Sequence, residues 1–292
     1  MSACVNGAIN RIAFKAPEAS YKEDDVCLLE YEDNGKTQGT IATLFLLHTD
    51  SHVYSTSNIN KFPLSTSLQT ILYSHGNAVD VGDTLQYGTW LALFTGCNVV
   101  LWDYAFYGQS VMKSSASNAM EASMYDGVKA VFQNIRATVP QHDLFLMGKS
   151  LGTVPTIWLA NKLSTDFMPE NNHVCGVVVI SPLASGARTM CDMNYIPESA
   201  ISFMDSLFAD SLDRVAAIRI PMLVLHGRQD IIVPFQNARD LLSNISSETP
   251  CTFHAFDWAG HNDIETRYTD KFVHVLCKFL DDNTDVGRQK FE

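Results

Sequence analysis

Six short runs, apolar almost throughout and rich in β-branched residues, limit what this chain can fold into more than any other feature. They are Thr70–Ser74, Asn98–Tyr104, Leu144–Met147, Gly176–Ser181, Met222–His226 and Thr252–Asp257. A strand that is apolar without alternation has helices over both faces, as in a parallel sheet. The stretches between the runs carry helical character, among them Met120–Arg136, Val154–Leu163, Asn237–Ser243 and Asp270–Leu280. Strand and helix in alternation predict an α/β fold: a mostly parallel central sheet, flanked by helices on both faces and joined by right-handed crossovers. Upstream, Gly39–Thr49 reads as an earlier, antiparallel strand. The polar segment Asp50–Ser67, with Pro63, reads as a surface loop or a long hairpin connection.

The 292 residues are enough for a large core, and the expected organisation follows the patterning. Residues 1–20 form an N-terminal segment, 21–281 a single domain and 282–292 a polar tail. The formal net charge is −12 and Lys and Arg form no run, so nucleic acid, a polyanion, is excluded as a partner. The seven cysteines are scattered and include no C-x-x-C pair, which fits neither a zinc site nor a disulfide framework. No metal and no cofactor is expected. Residues 1–17 lack a signal-peptide layout, and no run of 18 apolar residues offers a membrane span. The expected compartment is the cytosol.

Chemistry concentrates at Gly148-Lys149-Ser150-Leu151-Gly152, which follows the strand Leu144–Met147 and precedes a helix. A nucleophile on such a strand-to-helix turn is strained and tightly packed, so Gly148 and Gly152 supply small flanks. This is the G-x-S-x-G pattern of the α/β-hydrolase fold. A βα turn whose serine merely caps the helix is the alternative, and the surrounding strand and helix favour the nucleophile. A serine hydroxyl needs a base to take its proton. Asp230 and His261 follow later strands in the order Ser…Asp…His, at the strand ends where active sites of open α/β sheets gather. His261 is the expected base and Asp230 the acid that orients it, with Asp257 and Asp263 as lower-ranked rivals. The loop Ser74-His75-Gly76-Asn77-Ala78 nominates the backbone N–H of Asn77, with that of Leu151, as oxyanion donors. His75 and His226 are expected to be structural, Asp103 and Tyr104 to shape their turn, and Lys149 to be a solvated side chain.

Several segments, in this order, carry a resemblance: His75-Gly-Asn-Ala-Val-Asp80, Trp102-Asp-Tyr…Tyr107-Gly108, Gly148-x-Ser-x-Gly-Thr-Val-Pro-Thr156, Ser181-Pro-Leu-x-Ser-Gly186 and Gly260-His-Asn-Asp-Ile-Glu265. Over about residues 9 to 281 the chain resembles the alpha/beta hydrolase domain-containing protein 17 family, membrane-associated protein depalmitoylases. The resemblance implies that Ser150, Asp230 and His261 are the triad. It also implies hydrolysis of cysteine thioesters in S-acylated proteins, with other acyl esters as substrates of the same machinery. That family begins with an acylated cysteine cluster, and Cys4 is the one cysteine near the start here. A single acyl chain gives marginal, reversible binding, so peripheral contact at the cytoplasmic face of membranes is the expectation. Lys149 and Leu151 stand where the family usually has Gln and Ile. The segment from Leu183 to Asp213, with Ile201, Phe203, Met204, Leu207 and Phe208, is the expected small lid. A general carboxylesterase, a lipase or a serine peptidase would use the same three residues, and residue chemistry leaves these open.

Overall fold

The computed structural model describes residues 14–33, 36–50, 52–112, 119–165, 174–190 and 208–284. They fall into two compact units, the first running through Leu144 and the second from Phe145 onward. Cys4, residues 191–207 of the expected lid and most of the polar tail lie outside the described residues.

In the first unit β1 (Cys27–Asp33), β2 (Lys36–His48), β3 (Val53–Thr56), β4 (Gln69–Ser74), β5 (Asn98–Trp102) and β6 (Val111–Met112) form sheet. β4 and β5 are parallel, with Ile71 opposite Val99. β2 is antiparallel to β1, β3, β5 and β6, as its position upstream of the crossovers allows. The segment expected to be a surface loop or a long hairpin connection holds β3, which forms a hairpin with β2, and a 3-10 turn over Ile59–Leu64. Phe62, buried edge-on against Phe45, anchors that turn, and isolated apolar residues in a polar stretch leave no periodic signal. Helix α1 (Val81–Thr95) starts at Asp80, whose carboxylate accepts the Asp83 N–H, and stops at Gly96 in the left-handed region (φ 70°). Helix α2 (Ala119–Thr138) closes this unit.

In the second unit β7 (Asp143–Lys149) leads through a 3-10 turn, Ser150–Gly152, into α3 (Thr153–Thr165). Then come β8 (Gly176–Ile180), the short helices α4 (Gly186–Met190) and α5 (Ser211–Val215), β9 (Met222–Gly227), α6 (Gln236–Asn244), β10 (Cys251–Phe256), α7 (Ile264–Arg267) and α8 (Thr269–Asn283). β7 to β10 are parallel, in that order. α8 buries Phe272, Val275, Leu276, Phe279 and Leu280, a stripe at the spacing of one helical face. Each such side chain contributes about 1.5–3 kcal/mol by burial. Phe279 comes so close to β8 that a Cβ on Gly176 would lie 2.7 Å from its ring, so a larger residue there would have to displace that ring. The two ends of the expected lid are tied together: Gly186 N–H donates to the Phe208 carbonyl at 2.9 Å, and Ser211 N–H to that of Ala184 at 3.1 Å. No described helix is long and apolar enough to cross a membrane, and no described group of three or more His, Cys, Asp or Glu side chains could hold a metal ion.

Candidate active site

Ser150 opens the turn after β7 with φ at 53°, a left-handed conformation uncommon for any residue with a side chain. The turn is tight enough to exclude larger neighbours. A Cβ on Gly148 would lie 2.4 Å from the Gly152 carbonyl oxygen and 2.5 Å from Thr156 Oγ1. Thr153 and Thr156 fix the other side by donating their hydroxyls to the Ser150 and Gly152 carbonyls, at 2.7 and 2.8 Å.

Ser150 Oγ lies 3.0 Å from His261 Nε2, and His261 Nδ1 lies 2.7 Å from Asp230 Oδ2. The carboxylate can only accept, so the ring proton belongs on Nδ1 and Nε2 is left to accept the Ser150 hydroxyl proton. Asp230 Oδ1 accepts the N–H groups of Ile232 and Val233, at 2.9 and 2.8 Å. Burial by itself pushes this carboxyl's pKa up. Hydrogen bonds from His226 and His261, the His261 charge and the Val233 N–H outweigh it and hold the group well below the usual carboxylate range.

The rival acids are engaged elsewhere. Asp257, largely exposed, pairs with Arg228 at 2.9 Å. Asp263 pairs with Arg267 at 2.9 Å and accepts the Gly260 N–H at 2.6 Å, which braces the His261 loop. That loop lies against β9. A Cβ on Gly227 would sit 2.3 Å from the Ala259 carbonyl oxygen and 2.7 Å from that of Gly260.

Two residues do more than their sequence context implies. His226 is fully buried, as a packing residue should be, but its Nε2 also faces the Val233 carbonyl at 2.9 Å and Asp230 Oδ2 at 3.4 Å. Both are acceptors and Nδ1 has no partner among the described residues, so the proton sits on Nε2 and is shared between them. Lys149, expected to be solvated, is instead mostly buried and ion-paired to Glu265 at 2.7 Å. The partners lie 116 residues apart in sequence, beyond the reach of local patterning. The one signal for His226 was its place at a strand end, four residues before Asp230.

The two nominated oxyanion donors belong to different units. Asn77 lies in a loop fixed by its own side chain, whose Oδ1 accepts from the Lys15 and Ala78 N–H groups, each at 3.0 Å, and from the Tyr107 hydroxyl at 2.7 Å. His75 faces the Gly76 carbonyl and Asp103 Oδ1, and Asp103 also accepts the Val81 N–H and the Tyr21 hydroxyl. These residues hold the loop against the start of α1. Leu151 is in the turn after Ser150, where first-turn N–H groups lack partners within their own helix.

No family model matches the chain. It is 30% identical over 221 residues to alpha/beta hydrolase domain-containing protein aho-3 of Caenorhabditis elegans, covering 75% of this chain and 59% of that one. It is also 30% identical over 216 residues to alpha/beta hydrolase domain-containing protein 17B of Xenopus laevis, covering 72% of this chain and 67% of its relative. The chain belongs to the alpha/beta hydrolase domain-containing protein 17 family. It spans 59% to 67% of the length of these two relatives. Among solved structures it is similar to an esterase of Pyrococcus furiosus, with a TM-score of 0.60 at 17% identity over 91% of this chain and 97% of that one. That likeness carries the fold: an α/β hydrolase, with a mostly parallel sheet and helices around it.

Proposed function

We propose that this member of the family is a serine hydrolase that removes fatty-acyl groups from protein cysteines through an acyl-serine intermediate. The observation that carries the reading is the hydrogen-bonded line Ser150 Oγ–His261–Asp230, at 3.0 and 2.7 Å, with Ser150 on a left-handed turn. His261 Nε2 takes the hydroxyl proton as Oγ attacks the thioester carbonyl carbon. The Leu151 N–H, next to the nucleophile, receives the oxyanion. On collapse the C–S bond breaks, and His261 returns the proton to the departing cysteine sulfur. Water then adds to the acyl-serine by the same route, releasing the fatty acid and restoring Ser150. Family membership supports the thioester as substrate. The mostly buried triad, with Asp230 held ionised, supports the proton transfers.

A fluorophosphonate probe should label the wild-type protein and leave Ser150→Ala unlabelled; equal labelling of both would remove Ser150 from this role. A panel of long-chain acyl thioesters, short esters and aminoacyl amides then reads the substrate class. Highest kcat/KM on the long-chain thioester is the expected result. Preference for the amide would point to a peptidase, and for the short ester to a general carboxylesterase.

A further inference from the structure

We propose that the Lys149–Glu265 ion pair is a positioning device that sets the distance between Ser150 and His261. The inference rests on the hydrolase reading above and deepens it.

Lys149 is the residue immediately before the nucleophile, and Glu265 follows His261 by four residues. Their 2.7 Å contact therefore joins the turn that carries the hydroxyl to the loop that carries the base. Side-chain exposure separates this pair from its neighbours. Lys149 is 16% and Glu265 7% exposed, against 50% and 71% for Arg228–Asp257, and 64% and 45% for Lys278–Asp282. Exposed pairs contribute little because water screens them and long side chains resist being held. A pair this far from water holds its geometry, since neither partner can be freed without leaving a buried charge behind.

The same loop is fixed at its other end, where Asp263 accepts the Gly260 N–H at 2.6 Å. Asp263 thus shapes the loop internally, while Glu265 references it to Ser150. The 3.0 Å from Ser150 Oγ to His261 Nε2 depends on both. A carboxylate neutralises the Lys149 ammonium directly, so the pair acts as a tie more than as a field on the oxyanion.

Three forms test this: wild type, Glu265→Ala and Glu265→Gln. Glu265→Ala removes the tie and leaves the Lys149 ammonium without its carboxylate. Glu265→Gln keeps an oxygen to accept from Lys149 and gives up only the charge. The readouts are the rate constant for fluorophosphonate labelling and kcat with KM on an acyl ester, all normalised to sites titrated to completion so that unfolded protein drops out. Glu265→Ala should slow labelling and kcat by on the order of 100-fold, the scale of a small displacement between reacting groups, with KM little changed. Glu265→Gln should recover most of that loss. Should Glu265→Ala be recovered unfolded, the double variant Lys149→Met with Glu265→Leu, an apolar pair that folds without the tie, carries the same comparison. A wild-type labelling rate with only a lowered melting temperature makes the pair a stabiliser and overturns the proposal. So does a Glu265→Gln as slow as Glu265→Ala. A wild-type protein that fails to label overturns the hydrolase reading and this one together, whereas labelling lost only in Ser150→Ala leaves that reading standing whatever Glu265 does.

Discussion

In Asp230→Asn the side chain keeps its shape, and an amide oxygen can still accept the Ile232 and Val233 N–H groups now at 2.9 and 2.8 Å. The amide nitrogen then faces His261 Nδ1, where Oδ2 sits at 2.7 Å. An amide N–H cannot accept a proton, so the ring leaves Nδ1 bare and carries its hydrogen on Nε2, 3.0 Å from Ser150 Oγ. In that tautomer the imidazole cannot take the hydroxyl proton. The same exchange in the Ser-His-Asp template lowers kcat by roughly 10,000-fold, which at about 1.36 kcal/mol per decade is about 5.5 kcal/mol of barrier. His226 keeps the Val233 carbonyl as an acceptor at 2.9 Å, so folding should change little. The assay is kcat on a chromogenic acyl ester, with the fluorophosphonate labelling rate and the melting temperature taken on the same preparations. Both rates should fall by the same margin. A kcat within about tenfold of wild type would refute the tautomer argument, because that leaves over 4 kcal/mol of the expected barrier unaccounted for. Asp257→Asn, at an exposed carboxylate paired with Arg228, should be indistinguishable from wild type.

Gly148→Ala places a methyl group against backbone at 2.4 Å, so the nucleophile turn must move. Loss of labelling, with destabilisation of about 1–3 kcal/mol in urea titrations, is expected. His226→Phe keeps a ring beside Phe235 but leaves the buried Val233 carbonyl without its donor and Asp230 with one fewer. A loss of about 1–3 kcal/mol follows from the unsatisfied group, with a reduced kcat. For Asp230 the folded pKa lies below the unfolded one, so its stabilisation is present above the ordinary carboxylate range and is lost as pH falls through and below that range. Melting temperatures taken down a pH series should therefore drop less steeply for Asp230→Asn than for wild type.

The sheet was legible because its inner strands are apolar on both faces. Val99, Val100 and Leu101 on β5, and Val177, Val178 and Val179 on β8, are buried without alternation, which no surface segment imitates. β1 escaped notice because Cys-Leu-Leu-Glu-Tyr-Glu-Asp mixes charge with apolar residues and buries only part of them. β3 is four residues long in a polar stretch, too short for a period to register. The positions of Ser150, Asp230 and His261 were readable because each follows a recognisable strand, and strand ends are where such folds bring side chains together. The partners of Lys149 and His226 were not. An ion pair across 116 residues and a hydrogen shared between a carbonyl and a carboxylate are products of tertiary packing, and neither leaves a local pattern.

Five described residues other than glycine hold a positive φ: Ala78, Phe106, Ser150, Ser181 and Ala209. A side chain in that region costs about 1–2 kcal/mol that glycine does not, so anyone stabilising this protein would begin by relaxing them. Ala78 and Phe106, which are not buried, are the simplest of these to relax. At Ser150 the same substitution would also relieve strain, giving a sturdier chain with nothing to deprotonate. Stability engineering on this scaffold therefore meets its boundary at one residue, where the backbone's discomfort and the hydroxyl's usefulness are inseparable.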